Sequence, residues 1–320
     1  MMFSAVGGFY RPCLFMVRGN QVKIGSTEIE DTFAEAFKMY FVRLVVTAED
    51  SFWLDAAIRE ATGYSASVIA CDAETGVEQF IAAEQTPDGR PGAALLMFGS
   101  SVESLTKAVI NRVGQCVMTC PSTAAYDGSG ETDEKIPLGE NLRFFGDGYQ
   151  KSKLVDETRF WRIPVMDGEF LVEESVGVAA GIAGGNIILQ ATNRTIGLAA
   201  ARRGAESLQE MPGIITPFPG GVARSGSKVG SKYKQLIAST ADAYCPSLRG
   251  RVDCKLHPEA NCAYEIVVDG VDEPAVARAM ATAMQAIAAE DIVRITAGNY
   301  GGKLGKYHFH LHQLLETPTQ

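Results

Sequence analysis

One carboxyl stands out in a strand-like run. In Cys262–Val268 (CAYEIVV) the two-residue alternation puts Cys262, Tyr264, Ile266 and Val268 on one face. Ala263, Glu265 and Val267 fall on the other. Both faces read as covered, so Glu265 is a carboxyl on an otherwise apolar surface. Such a group is costly to ionise and titrates high, which suits a proton carrier near neutral pH. The bland alternative is a Glu paired with Arg or Lys, or one at a sheet edge.

Other patterns invite chemistry and fail on spacing. His308, His310 and His312 share one face if the last strand runs through all three, a metal-ligand arrangement in principle. No Cys or carboxylate pattern nearby completes it, so no metal site is expected. Gly298–Gly305 (GNYGGKLG) lacks the first Gly of a P-loop, and Leu304 stands where a Mg²⁺-binding hydroxyl belongs. Gly301 and Gly302 there suit a tight turn or a close approach of backbone to ligand. The stretch Gly220–Lys232 has no dinucleotide fingerprint. It combines Gly220, Gly221, Ser225, Ser227, Lys228, Ser231 and Lys232 in a donor-rich loop, suited to an anionic ligand or simply solvated. There is no Gly-x-Ser-x-Gly elbow.

These residues need a scaffold. Met39–Val46 reads as a strand, Ser51 opens a helix with Leu54, Ile58 and Ala61 on one stripe, and Gly63 stops it. Ser67–Cys71 and Gly92–Phe98 are strand candidates. Ser100 and Glu103 suggest a capping box, Leu105, Val109 and Val113 a helix ended by Gly114, and Cys116–Thr119 a returning strand. Thr123–Glu140 reads as a surface loop. Trp161–Val165 and Glu169–Val172 flank an Asp-Gly turn. Asn186–Ala191, Tyr264–Val268, Val293–Ala297 and Tyr307–Leu311 are strands, and Ile196–Leu208 and a segment opened by Pro274 are helices. Each half therefore reads as a β-α-β-β-α-β unit, giving an α+β protein of two sandwiches in series.

Composition narrows the class. The 320 residues carry 38 Asp+Glu against 29 Lys+Arg, a net charge of -9, which disfavours nucleic-acid binding. Seven cysteines in no even framework read as reduced thiols. The most apolar stretch, Val176–Leu189, is too short to span a membrane, and its glycines suit close backbone packing. The first fifteen residues lack a basic start and are cut by Arg11-Pro12, so they read as a non-structural extension rather than a secretion signal. A cytoplasmic protein is the expectation.

Several segments together carry a likeness. They are Glu28–Phe37 (EIEDTFAEAF), Glu84–Gly92, Gly114–Met118, Phe144–Gln150 (FFGDGYQ) and Pro217–Gly221 (PFPGG). They continue through Ser227–Lys232, Asp242–Pro246, Tyr264–Val267 and Ala297–Gly305. In this order the chain resembles the formylmethanofuran:tetrahydromethanopterin formyltransferase family from about residue 24 to about 315. The resemblance implies two ferredoxin-like lobes, divided here as an extension over 1–22, an N-terminal lobe over 23–165 and a C-terminal lobe over 166–320. It implies a homotetramer, no permanently bound metal or cofactor, and methanofuran and tetrahydromethanopterin as cosubstrates. The implied reaction moves a formyl group between the amine of methanofuran and N5 of tetrahydromethanopterin. In methylotrophs it runs toward formylmethanofuran, beside formylmethanofuran hydrolase subunits that release formate. A structural subunit of such a complex, weakly active by itself, is the alternative. Glu265 matches the family's catalytic glutamate. Phe218, Gly220, Gly221, Ser227, Lys228, Gly301 and Gly302 are the substrate-binding candidates, with Ser227 and Lys228 toward anionic groups and the glycines offering backbone N–H groups. Transfer between two amines needs positioning, oxyanion donors and a proton carrier. Extensive chelation is therefore expected to leave formyl transfer unchanged; stoichiometric metal in the purified protein would overturn that expectation.

Overall fold

The computed structural model describes residues 15–18, 21–209, 211–225 and 228–316. β1 (Phe15–Arg18) and β2 (Gln21–Ile24) form an antiparallel pair, and β3 (Thr27–Ile29) adds to β2. A non-structural segment therefore does not reach as far as Phe15. Residues 1–14 lie outside the described residues.

The first β-α-β-β-α-β unit follows. β4 (Phe33–Thr47) is 15 residues long and leads into α1 (Ser51–Ala61). Asp50 caps α1, its side chain accepting from the Phe52 and Trp53 N–H groups. β5 (Glu74–Ile81), β6 (Gly92–Gly99), α2 (Val102–Arg112) and β7 (Ala124–Asp127) complete the unit. Its strands lie in the order β5-β6-β4-β7, all antiparallel. β6 is buried along its whole length, which is why it reads as a continuous apolar run.

β8 (Glu134–Ile136), α3 (Leu138–Leu142), β9 (Lys151–Val155), β10 (Thr158–Val165) and β11 (Gly168–Glu173) connect the two units. The β10–β11 turn is the expected one, with Gly168 at φ +134. The second unit runs β12 (Val176–Ala191), α4 (Arg194–Glu206), β13 (Ile214–Ile215), then, after an insertion, β16 (Cys262–Gly270), α5 (Glu273–Ile287) and β17 (Ile292–Thr296). The insertion contains the short pair β14 (Lys228–Val229) and β15 (Ala238–Ser239). The order β13-β16-β12-β17 repeats that of the first unit. β18 (Tyr307–His310) pairs with the start of β4, and α6 (Leu311–Glu316) ends the described chain.

The units join edge to edge. β4 and β12 pair over Phe37–Phe41 and Ala179–Ala183, making one mixed sheet. A Cβ on Gly181 would stand 2.8 Å from the Phe41 ring, and one on Gly185 2.5 Å from Val276 Cγ1. Gly184 at φ +91 marks the register shift between Ile182 and Gly185, a bulge that lets β12 leave β4 for β16. Each unit has its own core. Leu44, Leu95 and Leu105 centre the first; Ile187, Ile266 and Met280 centre the second. Burying each such side chain contributes about 1.5–3 kcal/mol.

Four local expectations are corrected. Ser67–Cys71 is a run of turns, not a strand: the Ser67 carbonyl accepts from the Ala70 and Cys71 N–H groups, the Val68 N–H goes to Glu74 and the Ala70 carbonyl accepts from the Tyr64 hydroxyl. α2 does not stop at Gly114 but widens into a π turn over Val113–Val117, which replaces the strand expected at Cys116–Thr119. Gly114 is kept small there by Leu142. Thr123–Glu140 is not one surface loop: it holds β7, β8 and the start of α3, with Ala124 and Ala125 buried. Lastly, Ser101 caps α2, in a reciprocal pair with Ser104.

Carboxylates cross the seam between the units. Glu78, 3% exposed, takes a two-point contact from Arg43 at 2.6 and 2.9 Å and accepts from the Gly213 N–H at 2.7 Å. Glu74 and Asp269 are both buried, on β5 and β16. Asp269 Oδ1 accepts from the Gly184 N–H, and Glu74 Oε1 from the Val68 N–H. Asp269 Oδ2 has no donor from nitrogen or hydroxyl. A proton shared with the neighbouring Glu74 would satisfy it. Burial, then the neighbouring Glu74 charge, pushes the Asp269 carboxyl well above its ordinary range; burial also raises Glu74. A raised folded-state value means stability falls as pH climbs from the ordinary carboxylate range toward the folded-state value. Asp269→Asn keeps the acceptor for Gly184 and gives Glu74 a permanent donor. The urea midpoint of the parent is expected to drop more between pH 5 and pH 8 than that of Asp269→Asn; parallel pH profiles would refute the shared proton.

Candidate active site

Glu265 sits mid-strand on β16, opposite Ile188 of β12. Tyr264 and Ile266, on the other face, pack against α4, where Gly197 and Gly204 leave room for them. Glu265 itself is half-buried, beside the nearly covered Val267. Its backbone forms a two-bond bridge with Ala223, each N–H to the other's carbonyl at 2.8 Å. That bridge docks the segment following Pro217–Gly221 onto the strand that carries Glu265.

Two phenols feel the charge of this carboxyl. Tyr244 is pushed up to about 12 by burial first, with the charges of Glu30 and Glu265 adding to it and a hydrogen bond with Thr296 opposing. Burial also raises Tyr300, opposed by the Val229 N–H and reinforced by Glu265 and Glu35. Both rings therefore keep their protons at neutral pH, with the Arg294 charge opposing the carboxylates at Tyr244.

Tyr300 is placed by a loop wired to another buried glutamate. Glu35, on β4 and 1% exposed, accepts from four backbone N–H groups. Oε2 takes Tyr300 at 2.7 Å and Gly302 at 2.9 Å; Oε1 takes Leu304 and Gly305 at 2.5 Å. Burial pushes this carboxyl up, but the four N–H groups outweigh it, and the net direction is down. Asn186 anchors the loop's start, accepting from the Gly298 N–H and donating to the Gly298 carbonyl. Asn299 donates to Thr32 and the Phe33 carbonyl while accepting from the Gly301 N–H.

A cleft of about 650 Å³ opens between the two units. One wall is Thr62–Cys71 of the first unit; the other is Thr216–Gly221 of the second. Phe218, Gly220 and Gly221 line it, as does Ser225. Glu265 does not line it but is tied to its lip through Ala223.

The sequence candidates divide accordingly. Phe218, Gly220 and Gly221 come together in the cleft wall. Gly220 and Gly221 both have positive φ (63 and 75), and the Gly221 N–H is spent on the Phe218 carbonyl at 2.7 Å. Gly301 and Gly302 also have positive φ, and their N–H groups go to Asn299 and Glu35. The Gly221, Gly301 and Gly302 amides are thus engaged within the chain, and the turns at Gly301 and Gly302 let their loop converge on Glu35. Lys228 is engaged by Asp242 at 2.7 Å on an exposed surface, so it is not an unneutralised cation awaiting an anion. Ser227 lies outside the described residues. The histidines part company: His308 and His310 flank the Phe33 ring at 4.9 and 5.2 Å, but the strand ends at His310. His312 is on α6, its Nε2 2.9 Å from the Ile29 carbonyl oxygen. No group of three His, Cys, Asp or Glu suited to a metal occurs among the described residues.

Sequence reasoning missed Glu35, Tyr244, Tyr300 and the Thr62–Cys71 wall. Glu35 carried the same signal as Glu265, a lone carboxyl in an apolar strand (FAEAF).

Comparison with known proteins follows the same two halves. The family model described as formylmethanofuran-tetrahydromethanopterin formyltransferase matches residues 22–165, and the one described as the proximal lobe of FTR matches 168–314. A formylmethanofuran--tetrahydromethanopterin formyltransferase of Methylobacillus flagellatus is 49% identical over 299 residues, 91% of this chain and 99% of its own. A component of a formyltransferase/hydrolase complex from Methylorubrum extorquens is 44% identical over 306 residues, 92% of this chain and 98% of its own. The crystal structure of the Methylorubrum extorquens formyltransferase/hydrolase complex with methylofuran is similar at a TM-score of 0.89 and 43% identity, covering 93% of this chain and 100% of the matched one.

The Glu35 anchor makes a direct prediction. In Glu35→Gln one acceptor oxygen becomes an amide nitrogen facing N–H donors. Each backbone N–H left buried without an acceptor costs about 1–3 kcal/mol. Amides 300, 302, 304 and 305 are expected to exchange hydrogen much faster in the variant at pH 7. In the parent the same protection is expected to hold above the ordinary carboxylate range and to be lost as pH falls through the lowered value of Glu35. Unchanged protection in Glu35→Gln would show that the loop holds itself.

Proposed function

Since the chain belongs to the formylmethanofuran-tetrahydromethanopterin formyltransferase family, we propose that it transfers a formyl group between the amine of methanofuran and N5 of tetrahydromethanopterin. Both family models match, one on each half, and the observation that carries the mechanism is Glu265, half-buried mid-strand on β16 and bridged through Ala223 to the segment that lines the cleft. In the direction toward formylmethanofuran, the amine nitrogen of methanofuran attacks the formyl carbon and a C–N bond forms. The carbonyl electron pair moves to oxygen. Glu265 collects the proton of the attacking nitrogen. Collapse of the tetrahedral adduct then breaks the bond to N5, and Glu265 returns its proton to that nitrogen. The reverse direction uses the same steps. Tyr244 and Tyr300 are our assignment for donors to the transient oxyanion.

Phe218, Gly220 and Gly221 are assigned to the wall that receives one cosubstrate. Ser227 and Lys228 keep a secondary role near an anionic group, for which Lys228 must leave Asp242. We further propose a homotetramer of two ferredoxin-like lobes, divided near residue 165, and a cytoplasmic setting. Six free cysteines among the described residues support the reducing compartment, and no helix of the described chain is long and apolar enough to cross a membrane. The likeness to a component of a formyltransferase/hydrolase complex supports hydrolase subunits as partners. No metal or permanent cofactor enters the proposed steps.

The test is formyl exchange between the two cosubstrates with the purified protein alone. Glu265→Gln keeps size and polarity but cannot carry the proton, so kcat is expected to fall by about 10²–10⁴-fold with near-normal folding. Turnover within a few-fold of the parent across pH would remove Glu265 from the mechanism. A parent with no exchange activity by itself would favour a scaffold within a larger complex.

A further inference from the structure

The cleft wall over residues 61–72 has almost no regular structure, yet one guanidinium holds it. Arg112 leaves the last turn of α2 and is 6% exposed. Its Nη1 donates to the Ala61 carbonyl at 2.6 Å, the Gly63 carbonyl at 2.8 Å and Ser65 Oγ at 3.0 Å. Its Nη2 donates to the Tyr64 carbonyl at 3.0 Å and Asp72 Oδ1 at 2.5 Å, and its Nε to Asp72 Oδ2 at 3.2 Å. One of these acceptors, the Ala61 carbonyl, belongs to the last residue of α1, where a helix terminus leaves carbonyls without internal partners; the Gly63 and Tyr64 carbonyls lie just beyond the Thr62 cap. The remaining acceptors bring the far end of the loop back to its start. Asp72 closes the ring as a forked carboxylate partner, a geometry that lysine does not reproduce.

The fixed loop carries one unusual residue at its tip. Tyr64 has φ +51, a left-handed conformation that a bulky side chain rarely adopts without being held there. Its ring is 78% exposed at the cleft, and its hydroxyl donates across the loop to the Ala70 carbonyl at 2.9 Å. On the facing wall stands Phe218. An exposed aromatic face, braced at both ends in a cleft that a second aromatic also lines, is suited to a planar ring rather than to a charged tail.

We propose that Arg112 is a positioning residue: its guanidinium locks the 61–72 loop as one wall of the cleft and presents Tyr64 to a planar ring of the bound cosubstrate. The proposal rests on the formyltransferase reading for its substrates, but the clamp does not. Asp72, held low by Arg112 against the opposing effect of burial, stays a charged partner through the neutral range.

The experiment compares Arg112→Ala, Arg112→Lys and Tyr64→Ala in the full chain. It measures KM and kcat for both cosubstrates and hydrogen exchange over 62–72. Arg112→Ala is expected to raise KM for one cosubstrate about tenfold with kcat within about threefold, the split of lost binding rather than lost chemistry. Exchange in the loop should rise, and added guanidinium ion should restore both. Arg112→Lys should recover only part of the KM. Tyr64→Ala should raise the same KM while the loop stays protected. If Arg112→Ala does not fold, Asp72→Asn opens the ring more gently and should raise the same KM. Unchanged KM in the folded variants, or a raised KM that guanidinium does not restore, overturns the proposal. A parent without formyl transfer defeats the functional reading instead, and loop exchange with guanidinium rescue still decides the clamp.

Discussion

The structure depends on the pairing of two long strands. β4 and β12 each serve as a central strand of their own unit, and each also provides the edge by which the units meet. Such double use needs strands of 15 and 16 residues and a place where backbones approach without side chains between them. The glycines of β12 meet that need: Gly181 under the Phe41 and Phe98 rings, Gly184 at the bulge, and Gly185 against Val276. The twist and bulge then release the far end of β12 to β16, which brings Glu265 into position.

The same strand supports both electrostatic anchors. β4 carries Glu35 near its start and Arg43 further along. Glu35 gathers the Gly298–Gly305 loop, while Arg43 engages Glu78 and so fixes Gly213 at the entry to the second cleft wall. Buried carboxylates are tolerated here because each is surrounded by N–H donors or a guanidinium, or shares a proton. The site is therefore rigid where the chain has little regular structure, around Gly298–Gly305 and around Thr62–Cys71.

The sequence was most legible where periodicity is long. The two β-α-β-β-α-β units, Glu265 on its strand and the packing role of the β12 glycines could all be read from alternation and spacing. Legibility failed where a distant group decides local shape. Val68, Ile69 and Ala70 look like a strand until Glu74 takes the Val68 N–H, Tyr64 takes the Ala70 carbonyl and Arg112, more than forty positions away, ties Asp72 to the loop's start. Gly301 and Gly302 look like a ligand loop because the group that gathers the loop's amides is Glu35, separated by 265 to 270 positions from its donors. Ala124 and Ala125 are too small and too few to announce a buried strand. Lys228 drew attention as a cation because Asp242 cannot be paired with it from spacing alone.

The span between Glu35 and its donors also bears on the order in which the molecule can be made. Contacts joining opposite ends of a chain form only after the intervening segments have been brought together, at an entropic cost that rises with separation. A nascent chain that stops before Gly305 has β4 synthesised and Glu35 short of its donors. β18, which pairs with the first residues of β4, is not yet present either. The first unit's core can assemble early from local neighbours, but the loop gathered by Glu35 closes only when the C-terminal end arrives. Truncated or prematurely released products would thus resemble a folded protein by their helices and core while lacking that loop's anchor.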